Sequence, residues 1–281
     1  MLKLANPDIA LHVLPDRGGG IMKFEAFGRQ VLRLGKGLAP HPSELSGFSL
    51  LPYCNRIAEG HIPGHAALKP NLPKEPHPIH GEGWLSRWQV DEESADQATL
   101  SLDFQPSAGR WPWAFTATQS YRLDGAKFHH TLSLTNLSEH PMPAGLGFHP
   151  YFSYRRGDLF QASVKGMWDR DGAQLPTHHH LVGAEQYWPR GRIDETAHLD
   201  NCFTGWDGRF QITRRDISIQ VTTSGNLPFL HIYAPAGEAF VCLEPVSHIP
   251  NAINFRDAPP MARLMPRDTI SASLTYDVSL A

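Results

Sequence analysis

Residues Ala114 to Asn136 read AFTATQSYRLDGAKFHHTLSLTN, two strand-like runs joined by a short turn signal. In the second run Phe128, Leu132 and Leu134 share one face with His130. A strand sends alternate side chains to opposite faces, so this spacing predicts a half-buried strand. Ala114–Leu123 is a second candidate, and DGAK (Asp124–Lys127) between them predicts a hairpin.

The same period recurs on both sides. ATLSLDF places Ala98, Leu100, Leu102 and Phe104 on one face. DISIQVTT does so with Ile217, Ile219 and Val221, and TISASLTYDV with Ile270, Ala272, Leu274, Tyr276 and Val278. Shorter candidates are Ile9–Val13, Ile21–Phe27, Gln30–Leu34, Phe229–Tyr233 and Phe240–Leu243. No window carries a long amphipathic helix. DRGGG (Asp16–Gly20) and PNLPKEPHP (Pro70–Pro78) are turn and loop material. Without a repeat, a low-complexity tail or a composition shift, residues 1–281 are expected to form one large antiparallel β-sandwich, an all-β fold with function carried on loops.

Composition narrows the function. Hydrophobic residues make up 41% of 281, enough for a sizeable core, while 24 Gly and 24 Pro favour turns over helices. The net charge of −3 gives no electrostatic footprint for nucleic acid or an anionic membrane. Cys54, Cys202 and Cys242 are few and widely spaced, which argues against a disulfide framework or zinc ribbon. The first residues, MLKLANPDIALHV, do not resemble a signal peptide, and no apolar run is long enough to span a bilayer. These features predict a soluble cytoplasmic protein.

Several motifs are missing. GFSLL (Gly47–Leu51) lacks the second glycine of a nucleophile elbow, and GEG (Gly81–Gly83) lacks the third glycine of a dinucleotide site. His178–His180 are three adjacent residues that cannot easily face one ion, and are expected in a solvated loop. His77 and His80 in HPIH have no matching carboxylate pattern for a metal.

What remains is a set of polar residues wrapped in Gly, Pro and aromatic residues. These are Asn55 and Arg56 in YCNRIAEGHI, His80 in PIHGEGW, His149 in GFHPYF, Asp200 in HLDNCFTGW and Glu244 in FVCLEPVSHIPNAIN. Each has a structural explanation too: a surface ion pair for Arg56, a turn for His80, a self-capped turn for Asp200. Glu244 fits such an explanation least. It follows the apolar run AFVCL, and a carboxylate there is either paired or useful. Pro245 is expected to end the strand just after it. Desolvation raises a carboxyl pKa toward the range a base needs near neutrality, and a histidine titrates in that range.

These segments together resemble the aldose 1-epimerase (mutarotase) family. The resemblance runs through PDRGGGIMKFEAFG, NRIAEG, HGEGW, GFHPYF and CLEP…PNAINF, over nearly the whole chain. It implies a large antiparallel β-sandwich that needs no metal or organic cofactor and opens a sugar ring by acid/base chemistry. By the same resemblance Glu244 is the general base, His149 the general acid, and Arg56 and His80 bind near the ring oxygen. Asp200 holds substrate hydroxyls, and Asn55 positions a loop or binds. Trp84, Phe148, Tyr151, Phe152 and Trp206 are candidates for a wall against the apolar face of the sugar.

Two segments depart from the family pattern. The loop reads HGEGW where HGG is common, and PNA stands where an aspartate often follows the proline. Both leave the sugar open: galactose or glucose first, or a sugar carrying phosphate or sulfonate, for which Arg155, Arg156, Arg214 and Arg215 are available cations. A non-catalytic carbohydrate-binding protein of the same fold is the third reading, against which stand both His149 and Glu244.

Overall fold

The computed structural model describes residues 1–37, 41–155, 157–183 and 199–281. Two antiparallel sheets dominate. The larger has eleven strands. Its order is Leu2–Ala5, Ile9–Leu14, Gly20–Ala26, Gly47–Leu50, Gly147–Ser153, Phe240–Val246, Phe229–Ala234, Leu199–Thr204, Gly166–Arg170 and Pro176–Leu181, with Arg29–Gln30 paired to Gly20–Ala26. The second sheet has eight, in the order Leu159–Ala162, Arg209–Thr213, Ile217–Gly225, Thr269–Leu280, Lys127–Asn136, Phe115–Asp124, Gln97–Phe104 and Gln89–Glu93. Met142–Ala144 pairs with Ala262–Leu264 in a small separate ladder.

The eight-stranded sheet follows the alternation in the sequence. Phe115–Asp124 and Lys127–Asn136 pair from Phe115 opposite Asn136 to Asp124 opposite Lys127, so the DGAK hairpin forms as expected. One face buries Phe115, Tyr121, Phe128, Leu132, Leu134, Leu274 and Tyr276. The larger sheet supplies the facing residues. Phe24 meets Phe128 and Tyr276 edge-on at 5.2 and 5.4 Å, and Phe152 meets Phe210 at 5.5 Å. Each fully buried aromatic contributes roughly 1.5–3 kcal/mol. His130 lies inside this layer, stacked on Tyr121 at 4.6 Å and bonded to Gln119 at 3.2 Å.

The DRGGG turn locks one sheet to the other. The Tyr121 hydroxyl donates to the Gly19 carbonyl and the Gln119 amide to that of Gly18. Gly18 has φ +70°, and a Cβ there would stand 2.2 Å from the Trp84 carbonyl oxygen. Only glycine fits that turn.

Four expectations need correction. Of the expected Gln30–Leu34 strand, only Arg29–Gln30 pairs regularly; Leu32 makes an isolated bridge to Phe152. His178–His180 lie in the strand Pro176–Leu181 at the sheet edge, where His179 bonds Thr204 at 2.8 Å and His180 faces Asp169 at 3.2 Å. Strands so exposed carry no apolar alternation to mark them. The strand expected over Phe240–Leu243 runs on to Val246. Pro245 sits opposite Leu230 without ending it, so Glu244 lies inside a central strand and not at its end. Arg214 is buried rather than available. Its guanidinium donates to the backbone carbonyls of Gln30, Val31 and Ser153 and lies 3.6 Å from Asp158. Among the described residues, no helix is long and apolar enough to cross a membrane.

Candidate functional site

Strand Gly147–Ser153 shows how the site is built. Phe148 and Phe152 point into the layer between the sheets, where Phe148 meets His130 at 4.9 Å and Phe152 meets Phe210. By alternation His149 and Tyr151 point to the other face of the large sheet. The register pairs Gly147 with Val246 and Tyr151 with Cys242, which puts His149 directly opposite Glu244. On the far side Glu244 pairs with His231, and Tyr233 pairs with Cys242 and Asp200. One face of four neighbouring strands therefore carries His149, Glu244, His231, Tyr233 and Asp200.

Two loops close over this face. Arg56 and Ile79 form a bridge between them. The His80 amide donates to the Asn55 carbonyl at 2.9 Å, and the Asn55 amide to His80 Nδ1 at 3.3 Å. Asn55 and His80 both take left-handed backbone conformations, φ 56° and 61°. Asparagine and histidine tolerate that region better than most residues. Asn71 clamps the second loop through both backbone groups of Ile79.

The result is a cavity of about 280 Å³ lined by Asn55, Arg56, His80, His149, Asp200 and Glu244, together with Ile79, Gln174, His231 and Tyr233. All six residues singled out in the sequence meet there. Of the five candidate aromatics, one or two of which were expected to touch substrate, none is among the lining residues. Phe148 and Phe152 face the core. Trp84 stacks behind Phe48 at 5.1 Å, Tyr151 stacks on His149 at 4.7 Å, and the Trp206 indole donates to the Arg209 carbonyl. Among the described residues, the lining tyrosine is Tyr233.

His231, Tyr233 and Gln174 escaped sequence reading. His231 and Tyr233 alternate in FLHIYA, so a polar face was present, but the run reads as an ordinary apolar strand. Gln174 comes from a turn with no motif. Its Oε1 is buried with no hydrogen-bond partner among the described residues.

Charge in the cavity is largely compensated. Arg56 makes a bidentate pair with Glu75 at 3.1 and 2.9 Å. Asp200 accepts from His231 Nε2 at 2.7 Å and faces Arg170 at 3.5 Å. Burial alone would raise the Asp200 pKa; the bond and charge of His231, with Arg56 and Arg170, outweigh it and hold Asp200 below the usual range.

His149 Nε2 and Glu244 Oε1 are 3.2 Å apart, and both residues are nearly sealed, 6% and 2% exposed. Burial pushes the Glu244 carboxyl well up, with the Asp200 charge adding and Arg56 opposing. Burial, then the charges of His231 and Arg33, brings His149 down to about 3. Burial, followed by His149, Arg56 and His231, also holds His80 well below its ordinary value. Burial thus favours the uncharged form of both partners. Such a pair can take a proton at one atom and give one at the other.

The two departures have structural work. Glu82, the added carboxylate of HGEGW, binds Arg110 at 2.8 and 2.6 Å and accepts the Trp111 amide at 3.0 Å, pinning a neighbouring loop. Asn251 accepts the Ala58 amide at 3.0 Å and donates its own amide to the Arg56 carbonyl at 2.7 Å, steadying the loop that presents Arg56.

Comparison with known proteins identifies the fold and the family. The uncharacterized protein YphB of Escherichia coli (strain K12) is 28% identical over 284 residues, spanning 94% of this chain and 93% of that protein. The crystal structure of a candidate aldose 1-epimerase from Escherichia coli K12 superposes with a TM-score of 0.91 at 25% identity, over 100% of this chain and 99% of that one. A galactose mutarotase-like protein from Clostridium acetobutylicum shares the fold at a TM-score of 0.85 and 21% identity, over 99% of this chain and 95% of that one. A sequence model described as aldose 1-epimerase matches residues 1–277, and the chain belongs to the aldose 1-epimerase family.

Proposed function

We propose that this protein interconverts the α and β anomers of a free, uncharged aldose such as galactose or glucose, by opening and reclosing its ring. The observation that carries this reading is the contact between His149 and Glu244 on the floor of a cavity that also presents Arg56, His80 and Asp200. Glu244 takes the proton from the C1 hydroxyl, and His149 gives one to the ring oxygen. The C1–O5 bond breaks to an open-chain aldehyde. Rotation about C1–C2 offers the other carbonyl face, and closure reverses both transfers.

Both reacting oxygens are bonded to C1. The groups that serve them must stand side by side, which suits a separation of 3.2 Å better than placement across the ring. For this the pair must first pass a proton to His149, leaving Glu244 ionised; after opening, the C1 hydroxyl proton sits on Glu244 and the imidazole is neutral. The open-chain stage thus coincides with the uncharged form of the pair that burial favours. Arg56 and His80 stand beside the pair to steady charge on oxygen. Asp200, Asn55 and Gln174 offer partners for the remaining hydroxyls. A cavity of about 280 Å³ lies at the small end of ligand pockets, roughly 300–1,000 Å³, a scale that suits one monosaccharide.

Among the described residues, no arginine or lysine without an acidic partner lines the cavity, which favours an uncharged sugar over an anionic one. Arg56 and Arg170 are already paired with Glu75 and Asp200. Arg155 and Arg215 are exposed and do not line the cavity, and Arg156 lies outside the described residues. Polarimetry or exchange NMR over a panel of aldoses, with and without phosphate or sulfonate, tests the assignment against a no-enzyme blank. Acceleration with neutral hexoses is expected. Acceleration confined to charged sugars would transfer the reading to that class, and none with any aldose would leave a binding protein.

A further inference from the structure

The sheet register that brings His149 to Glu244 also brings a thiol to the pair. Cys242 is two residues before Glu244 on the same strand, so both side chains point to the same face, and Cys242 pairs across to Tyr151, two residues after His149. One donor atom from each of His149, Cys242 and Glu244 lies within 4.8 Å of the others. All three residues are buried, and His149 and Glu244 open onto the cavity while Cys242 lies behind them.

We propose that His149, Cys242 and Glu244 form a three-ligand site for a borderline-soft divalent cation of the zinc type, with its fourth position open to the cavity. Tetrahedral zinc with ordinary bond lengths sets its nitrogen and oxygen ligands about 3.4 Å apart and its sulfur about 3.6 Å from either. The observed nitrogen-to-oxygen separation is 3.2 Å, so this edge of the tetrahedron already exists. The Cys242 sulfur lies within 4.8 Å of both other ligand atoms, so the remaining edges close with a shift of about 1 Å at most. A thiolate, an imidazole and one carboxylate select zinc over magnesium or calcium, which demand more oxygen ligands. Two anionic ligands around a 2+ ion also leave no net charge in a buried place, where an unbalanced charge is costly. The thiol proton and the proton shared by the pair leave as the ion enters.

The ion would occupy the atoms assigned to proton transfer. Zinc therefore inhibits the enzyme, competing with sugar, and the reaction itself does not use it. Binding stands apart from the proposed epimerase function; only the inhibition rests on it.

Co²⁺ titration of the purified protein, followed by absorption, tests the site. Expected are one equivalent bound, a thiolate-to-cobalt charge-transfer band, tetrahedral visible bands, and displacement of all of these by Zn²⁺. Cys242→Ser should lose the charge-transfer band and bind at least about ten-fold more weakly, whereas Cys54→Ser and Cys202→Ser should keep both. Thermal melting checks that each variant is folded. Absence of the thiolate band in the parent protein, or its survival in Cys242→Ser, overturns the proposal. If zinc binds as described but no aldose is turned over, the epimerase reading fails and the metal site stands.

Discussion

Replacing Glu244 by Gln removes the proton acceptor and little else. Glu244 is buried and its carboxyl is pushed well up, so an amide of nearly equal volume adds little desolvation cost in its place. The new amide can donate to His149 Nε2 across the same 3.2 Å, and the loss of stability should stay below about 1 kcal/mol. Catalysis should suffer far more. A positioned proton transfer contributes about 10²–10⁴ in rate. At about 1.4 kcal/mol per ten-fold, that is roughly 3–5 kcal/mol of barrier. Sugar affinity should change only a few-fold, because Arg56, His80 and Asp200 are untouched. The assay is polarimetry on a freshly dissolved single anomer, with the uncatalysed rate subtracted and a melting curve run in parallel. Turnover within ten-fold of the parent, in a variant that melts normally, would refute Glu244 as the base.

His149→Asn should lower turnover much more than sugar affinity; an effect confined to affinity would make His149 a binding residue. Glu82→Ala should act on the fold, because it leaves Arg110 and the Trp111 amide without their acceptor. A loss of about 1–3 kcal/mol is expected by denaturant melting, and an unchanged midpoint would show that the loop is held otherwise. Acid should destabilise the protein from about pH 6.5 downward. Burial lowers His130 and His149 to about 3 and His248 to about 4, and holds His80 well below its ordinary value. The unfolded chain takes up protons at these sites while the folded chain cannot, so their contribution is complete above pH 6.5 and drains away as pH falls toward the folded values. Stability therefore falls as pH falls through this range, because the unfolded chain binds more protons at these sites than the folded one. Glu244 opposes it: its raised value contributes most below the ordinary carboxyl range and fades as pH rises. A melting temperature flat from pH 6.5 to 4.5 would contradict the burial of these imidazoles.

The sequence by itself determined the fold class and the chemical types at the site. Period-2 runs such as Phe128–Leu134 carry their own evidence, because one face of the eight-stranded sheet is wet and the other dry. Isolated polar residues in Gly- and Pro-rich surroundings marked all six positions that later met in the cavity. The larger sheet was harder to read, because strands such as Phe240–Val246 are buried on both faces and strands such as Pro176–Leu181 are largely exposed; neither alternates. Only the tertiary structure decided that Phe148 and Phe152 serve the core while His149, between them, serves the cavity. It also decided that Tyr233 lines the cavity, that Arg214 is structural, and that His231 and Cys242 stand beside Glu244. Each of these depends on which strands become neighbours and in what register. That choice is made by contacts between residues far apart in the chain, and no local pattern records it.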